Sequence, residues 1–432
     1  MRILLISENR SVENIIPYPL GLAYVASAAR KAGHAIRCLD LMFSQSPLED
    51  IEGEIKDFKP DVIGVSVRNI DNQEMHSTVF YVEEVDAIIR TVKQTTDSPV
   101  VLGGSGFSIF PLECLERFDI KLGIVGDGEK AFVALLDCIK EGGEPLSLAG
   151  VAFRNEKIAR VNPPCHRHDI QSLGAPARDC PDALRYRSAP FEEPAFMANI
   201  QSRRGCHMKC IYCSSPLIEG KQMRLRDPES VADELESLEK DHGVMFAAFT
   251  DSLFNFPGEY THRICAEIAK RKLKIRWLAN INPCFHEKRL SEAMAKAGCV
   301  SVSIGNESGS EYMLERLRKG FSKSQVVRAV RDAKSSGMRV NCFLLLGGPG
   351  ETENSVKESI ELMDSLEPDA VRVTVGIRIF PQCEMYDIAL KQGVIKPGQN
   401  LLYPIFYIEP EVSGWLYEFM LEVCGERPGW FI

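Results

Sequence analysis

The stretch Arg204-Gly205-Cys206-His207-Met208-Lys209-Cys210-Ile211-Tyr212-Cys213 decides how the rest of the chain is read. It sets three thiols at the spacing C-x3-C-x2-C, in a loop directly after a predicted strand over 198–201. Three thiolates this close can hold an iron–sulfur cube while its fourth iron stays open to another ligand. Zinc is the rival, but structural zinc takes four protein ligands, and the nearby fourth candidate, His207, is too close in sequence for easy tetrahedral geometry. Unligated, the trio would be exposed and prone to oxidation. Cys206, Cys210 and Cys213 are therefore the candidate metal ligands and, through the cluster, the candidate catalytic residues.

Downstream of this loop, strand patterns recur at 246–250, 275–279, 300–304, 340–346 and 370–375, with helical stretches such as 228–241 and 323–336 between them. With the strand before the loop, six βα units in about 200 residues predict a partial (β/α)6 barrel over 195–396. Upstream, residues 1–148 alternate differently. Short runs apolar on both faces occur at 2–7, 61–67, 99–102 and 120–125, which predicts a doubly wound parallel sheet covered on both sides. Arg68-Asn69, Gly103-Gly104-Ser105-Gly106 and Gly126-Asp127-Gly128-Glu129 follow three of these strands. Loops at the carboxyl ends of such a sheet converge on one ligand crevice. Residues 149–194, broken by Pro163, Pro164, Pro176, Pro181, Pro190 and Pro194, read as a linker with room for a small hairpin. Residues 397–432 carry Tyr403, Phe406, Tyr407, Trp415, Tyr417, Phe419, Trp430 and Phe431, a segment that closes the barrel or covers substrate; packing is the favoured reading.

The 432 residues are 45% hydrophobic and 26% charged, the balance of a globular protein of two or three domains. With 60 acidic against 51 basic residues the net charge is -9, and no dense basic block offers a nucleic acid its phosphate contacts. No apolar run approaches the ~20 residues of a membrane span. The opening MRILLISENR meets charge too early for a secretory signal. Most other cysteines, among them Cys38, Cys265, Cys299 and Cys342, stand singly in apolar or helical stretches and read as small buried apolar groups.

From Ala198 onward the chain resembles the radical S-adenosylmethionine (SAM) superfamily, whose signature is this triple-cysteine loop. The resemblance implies a [4Fe-4S] cluster whose open iron binds SAM, and cleavage of SAM to a 5'-deoxyadenosyl radical. It places Tyr212 along the adenine, and the ribose against Ser303-Ile304-Gly305-Asn306-Glu307-Ser308, with Glu307 the ribose ligand and Ser303 and Ser308 beside it. Arg318 resembles the basic residue that pairs with the SAM carboxylate, and Gly347-Gly348 the turn that lets backbone approach the adenosyl group. Thr250-Asp251-Ser252 stands where the family has a Gly-Gly-Glu type segment, which makes Asp251 the candidate for the SAM amino group.

The N-terminal half resembles the flavodoxin-like, cobalamin-binding domain of one subgroup, through Pro19-Leu20-Gly21-Leu22-Ala23-Tyr24, Asp61-Val62-Ile63-Gly64-Val65-Ser66, Val101-Leu102-Gly103-Gly104 and Gly126-Asp127-Gly128-Glu129. That implies cobalamin contacts from Ser66, Arg68, Asn69, Gly103, Gly104, Gly126, Asp127 and Glu129. No Asp-x-His-x-x-Gly occurs, so no histidine of that motif serves as lower axial ligand. Arg68 beneath the corrin could not coordinate cobalt and would favour a four-coordinate metal able to accept and release methyl. The implied activity is a cobalamin-dependent methyltransferase that delivers methyl through methylcobalamin to an unreactive carbon of a small molecule or peptide. The rivals are a rearrangement or cyclisation with the same cofactors, and a radical SAM enzyme whose N-terminal domain is a scaffold without cobalamin. The resemblance also implies a flavodoxin or ferredoxin as electron donor and a cytoplasmic, low-oxygen setting. Arg378 and Gln382, after the sixth barrel strand, are candidate substrate contacts.

Overall fold

In the computed structural model, which describes residues 1–12, 15–164, 166, 170–188 and 195–432, the first half of the chain contributes eight strands among the described residues. They are β1 (Arg2–Ser7), β2 (Ile15–Pro17), β3 (Ala35–Asp40), β4 (Val62–Ser66), β5 (Val100–Gly103), β6 (Leu122–Ile124), β7 (Val151–Arg154) and β8 (Ala159–Val161). Seven form one sheet in the order β3-β1-β4-β5-β6-β7-β8, parallel from β3 to β6 and antiparallel beyond. Successive residues of β1 enter opposite cores. Ile3 and Leu5 pack with Leu22, Ala26 and Phe132, whereas Leu4 and Ile6 pack with Ile51, Val85 and Ile89. Helices Leu20–Lys31 and Gly128–Lys140 lie together on one face, and Pro47–Phe58 and Val82–Thr95 on the other. That double cover explains the unbroken apolar run Ile3-Leu4-Leu5-Ile6.

β3 is an edge strand with every residue at least partly exposed, which is why its sequence lacks the buried-strand pattern. β7 and β8 supply the hairpin of the presumed linker and extend the sheet rather than hanging free. Pro190 and Pro194 lie outside the described residues. Cys38 is not a lone apolar group: it is disulfide-bonded to Cys180, 142 residues on, which ties β3 to the segment before the barrel. Cys265, Cys299 and Cys342 are buried and free.

The second half contributes β9 (Ala195–Ile200), β10 (Arg203–Arg204), β11 (Arg224–Leu225), β12 (Phe246–Phe249), β13 (Arg276–Ile281), β14 (Cys299–Glu307), β15 (Arg339–Leu346), β16 (Ala370–Val375), β17 (Ile377–Arg378), β18 (Phe406–Tyr407) and β19 (Trp430–Phe431). An eight-stranded parallel sheet runs β19-β16-β15-β14-β13-β12-β9-β2. Six of its strands are the expected βα units of a partial barrel, and each edge is covered by a borrowed strand. One comes from the N-terminal half and the other from the chain's last residues. Here the burial alternates. Val340, Cys342, Leu344 and Leu346 face the outer helices, while Asn341, Phe343 and Leu345 stay half-buried on the concave side.

The C-terminal segment packs. Helix Leu416–Gly425 buries Leu416, Met420 and Val423 in the barrel core, with Trp415, Tyr417, Phe419 and Trp430 against it. Ile211, Leu317, Ile377, Ile379 and Tyr407 of the second half share one apolar cluster with Leu4, Ile63 and Phe107 of the first. The two halves are thus joined by core, not by a hinge surface.

Candidate functional site

The cysteine loop leaves the barrel through the β10–β11 ribbon. Gly205 sits at φ +94°, and a Cβ there would lie 2.2 Å from the carbonyl oxygen of Gln222, so only glycine fits. Contacts from several elements hold the loop. Cys206 N–H donates to Gly220 O (3.1 Å), Ile211 N–H to Leu317 O (3.3 Å), and Met385 N–H to Ile211 O (2.9 Å). The Cys383 thiol donates to Cys213 O (3.2 Å). Cys206 is buried, and burial pushes its thiol up to about 11. Cys210 is raised by burial as well, opposed by the Lys319 ammonium. These thiols become thiolates readily only with a metal to neutralise them. Among the described residues no three Cys, His, Asp or Glu side chains converge on one ion-sized position.

Beside the loop, Tyr212 Oη donates to Glu307 Oε1 (2.9 Å), and Lys319 Nζ donates to Tyr212 Oη (2.8 Å) and Glu307 Oε1 (3.2 Å). Glu307 ends β14 at φ +63°, which turns its carboxylate back toward the loop. Lys319 is 5% exposed; burial opposes its charge, yet Glu307 and the Cys210 sulfur raise its pKa. Arg318 lies elsewhere. At φ +54° its side chain turns outward, half-exposed, and pairs with Glu384 at 2.7 Å. Of the two adjacent cations it is Lys319 that faces the cluster loop; sequence reasoning missed it, and only that backbone turn distinguishes them.

Ser303 is half-buried on the concave face, in register with Asn280 and Asn341. Ser308 is fully buried instead, 3.0 Å from Ser359 Oγ and accepting the Ser310 N–H at 3.1 Å. Asp251 is likewise enclosed. It accepts the N–H groups of Ser202 (2.8 Å) and Arg203 (3.1 Å), so it holds the bend from β9 into the cysteine loop. Gly347, at φ +89°, donates its N–H to Glu351 (3.2 Å), and a Cβ on Gly348 would lie 3.1 Å from Leu317. Burial pushes the Glu351 carboxyl up to about 7.

A cavity of about 390 Å³ opens at the carboxyl ends of β1, β4 and β5, where the strand order reverses. Ser66, Arg68, Gly103 and Gly104 line one wall, and Gly126, Asp127 and Glu129 another. A Cβ on Gly103 would meet nothing within 4 Å, so its bare face opens on the space. Gly104 is different: at φ +97° a Cβ would strike Val67 O at 2.4 Å. The barrel supplies Asn199, Gln201, Arg204, Glu219 and Thr250. Volume, apolar walls and bare glycine faces fit the inserted tail of a cobalamin.

Asp127 and Glu129 line the cavity already paired with cations. Arg204 bonds Asp127 (3.1 Å) and Glu129 (2.6 Å), and Arg224 bonds Asp127 as well. Burial works against the Asp127 charge, but His166, Arg204 and Arg224 together hold its carboxyl well below the usual range. Arg68 donates its N–H to the buried Glu8, whose carboxyl burial pushes up to about 8. Asn69 lies off the cavity, its amide oriented to accept from Arg68 Nη1 (2.9 Å) and donate to Arg68 O (3.1 Å). Arg378, expected at the substrate mouth, is consumed by packing. It pairs with Asp71 at 2.9 Å, both side chains at most 2% exposed, and donates to Ile379 O and Leu401 O. Gln382 stands exposed, beside Cys383.

Taken together, a partial barrel with a three-thiol loop and a doubly wound sheet with a cavity at its switch point meet along one wall. Comparison with known proteins agrees. The radical SAM superfamily model matches residues 200–363, and the B12 binding domain model residues 11–136. Over 381 residues the chain is 27% identical to an uncharacterized methyltransferase of Pyrococcus horikoshii, covering 87% of this chain and 79% of that one. It is 26% identical over 439 residues to tryptophan 2-C-methyltransferase of Streptomyces laurentii, covering 87% and 72%. Its fold matches the radical SAM methyltransferase TsrM of Kitasatospora setae, solved with cobalamin and a [4Fe-4S] cluster bound, at TM-score 0.85 and 22% identity over 100% of this chain and 92% of that one. The chain thus carries a radical SAM domain with a B12-binding domain ahead of it, and its relatives include named methyltransferases. The two matched models imply SAM and its iron–sulfur cluster for the barrel and cobalamin for the N-terminal half. Among the described residues, no helix is long and apolar enough to cross a membrane.

Proposed function

We propose that this enzyme transfers a methyl group from SAM, by way of cobalt, to an unreactive carbon of a small molecule or peptide. One observation carries the reading: the cavity at the switch point of the N-terminal sheet is walled on its far side by Gln201, Arg204 and Glu219, which flank the cysteine loop. Cobalamin bound there supplies methyl carriage, and the cluster supplies the electron that cleaves SAM. Cys206, Cys210 and Cys213 hold the cluster. Lys319, already desolvated and beside Cys210, offers the cation for the SAM carboxylate, and Glu307 and Tyr212 the partners for ribose and adenine. Arg68 lies against the cavity with no lone pair to give a metal, so it would leave the lower cobalt face uncoordinated. Asp251, Ser308 and the glycine turn shape the backbone around these groups. The alternating concave face, with Asn280, Ser303 and Asn341 in one row and Phe343 above it, receives a substrate that needs neutral hydrogen-bond partners. A flavodoxin or ferredoxin as reductant and a cytoplasmic setting complete the proposal.

The test begins with anaerobic purification in the presence of cobalamin, followed by metal analysis and an absorbance spectrum. About four iron and one cobalt per chain, with base-off corrin bands, are expected. Iron without cobalt would leave a scaffold domain and end the methyl-transfer reading. With substrate supplied, S-adenosylhomocysteine must appear; 5'-deoxyadenosine alone would mark a rearrangement or cyclisation instead. Arg68→His should change the corrin spectrum, because imidazole can coordinate cobalt where guanidinium cannot.

A further inference from the structure

We propose that Arg204 is a positioning residue that ties the cavity to the cysteine loop, so that filling the one and ordering the other favour each other. The inference rests on the cavity being the cobalamin site. Arg204 stands two residues before Cys206, yet its side chain turns into the other domain. Its Nη1 lies 3.1 Å from Asp127 and 3.2 Å from Glu129, its Nη2 2.6 Å from Glu129, and its Nε 2.9 Å from Gln201 Oε1. The guanidinium also lies over the ring of Tyr24. Arg204, Asp127, Glu129 and Gln201 all line the cavity.

The same group reaches the loop's backbone. Glu219, on the cavity wall, accepts the Gly205 N–H at 3.2 Å and the Gln201 amide at 2.7 Å. Arg224 donates to Glu219 O at 2.7 Å and also holds Asp127. The next carbonyl, Gly220 O, takes the Cys206 N–H. Helix Ser215–Glu219, which follows the loop, packs on helix Ser105–Ile109, which follows Gly104.

A buried guanidinium keeps its charge and presents a rigid fork, so Asp127 and Glu129 cannot shift without carrying Arg204 with them. Most of the polar atoms of this group are paired within it, so its hydrogen bonds serve first to hold the wall and the loop together. A ligand that stills the cavity wall therefore prepays the ordering of Gly205 and Cys206. By reciprocity a loaded cluster must tighten cobalamin binding by the same factor.

The test uses the full chain under anaerobic conditions, with hydroxocobalamin as probe. Amide hydrogen exchange over 205–213 is followed in cluster-loaded protein with and without the probe, and its dissociation constant is measured with and without the cluster. Protection is expected to rise at least fivefold with cobalamin, and cluster-free protein to bind it about tenfold more weakly. Arg204→Lys, which keeps charge but loses the fork, should abolish both effects; Glu129→Gln should reduce both. Unchanged exchange on cobalamin uptake, or a full response in Arg204→Lys, would overturn the coupling alone. No uptake of cobalamin by the wild-type chain would overturn the cofactor assignment together with it.

Discussion

The two large sheets of this enzyme are both parallel, yet they are buried in different ways. The N-terminal sheet is covered by helices on both faces, so Ile3, Leu4, Leu5 and Ile6 are all buried. The barrel sheet is covered on its outer face only, so Asn280, Ser303, Asn341 and Phe343 remain open on the inner one. The first sheet exposes only its strand ends to ligand and binds at loops. The second leaves its inner face only half-covered, and chemistry can reach between its strands. Burial on both sides makes a rigid carrier; burial on one side makes a vessel.

The largest test of this contrast lies where the two meet. Cys206→Ala should remove the cluster, taking iron from about four per chain to near zero and abolishing 5'-deoxyadenosine formation, while the N-terminal sheet still binds cobalamin. Retained iron together with SAM cleavage would overturn the cluster assignment.

Next in size is the buried Asp71–Arg378 pair, which clamps the loop after β4 to the barrel. Arg378→Met strands a buried carboxylate and should lower unfolding stability by about 3–5 kcal/mol. Adding Asp71→Leu should restore most of it. If Arg378→Met is neutral in urea unfolding, the clamp is unimportant.

A direct comparison of faces comes third. Ile63→Ala, in the doubly covered sheet, should cost about 2–5 kcal/mol and leave the substrate KM unchanged. Phe343→Ala on the concave face should cost less stability and raise KM. The reverse pattern would mean that the inner face is core, not vessel.

A last comparison is one of pH. Glu8 carries a pKa raised by burial to about 8 from an unfolded value near 4.5. Its folded state binds the proton more tightly, so its contribution is fully present below about 4.5 and is lost as pH rises toward 8. Unfolding midpoints should therefore fall across that window, and Glu8→Gln should flatten the fall. An identical slope in the variant would assign it to other groups.

Much of this arrangement was legible beforehand. Five of the six barrel strands begin within a residue of where the pattern put them, because alternation and βα spacing are local properties; β9 alone begins earlier. β2 was not legible: Ile15-Ile16-Pro17 has no pattern of its own and is a strand only because the edge of β9 lies beside it. Among site residues, the cysteine spacing and the glycine turns announce themselves, but Lys319 does not. Arg318 and Lys319 are neighbours of like charge, and a left-handed φ at the first turns the second inward.

The sequence by itself determined the three-thiol loop, the order of the two α/β halves and the crevice at the strand ends. Each is set by spacing along the chain. Only the tertiary structure decided that Asp127 and Glu129 are spent on Arg204, that Arg378 belongs to Asp71 and that Cys38 meets Cys180. Such pairings join residues from about 75 to more than 300 positions apart. A buried charge must find its partner, but nothing local says which one the fold will bring within reach.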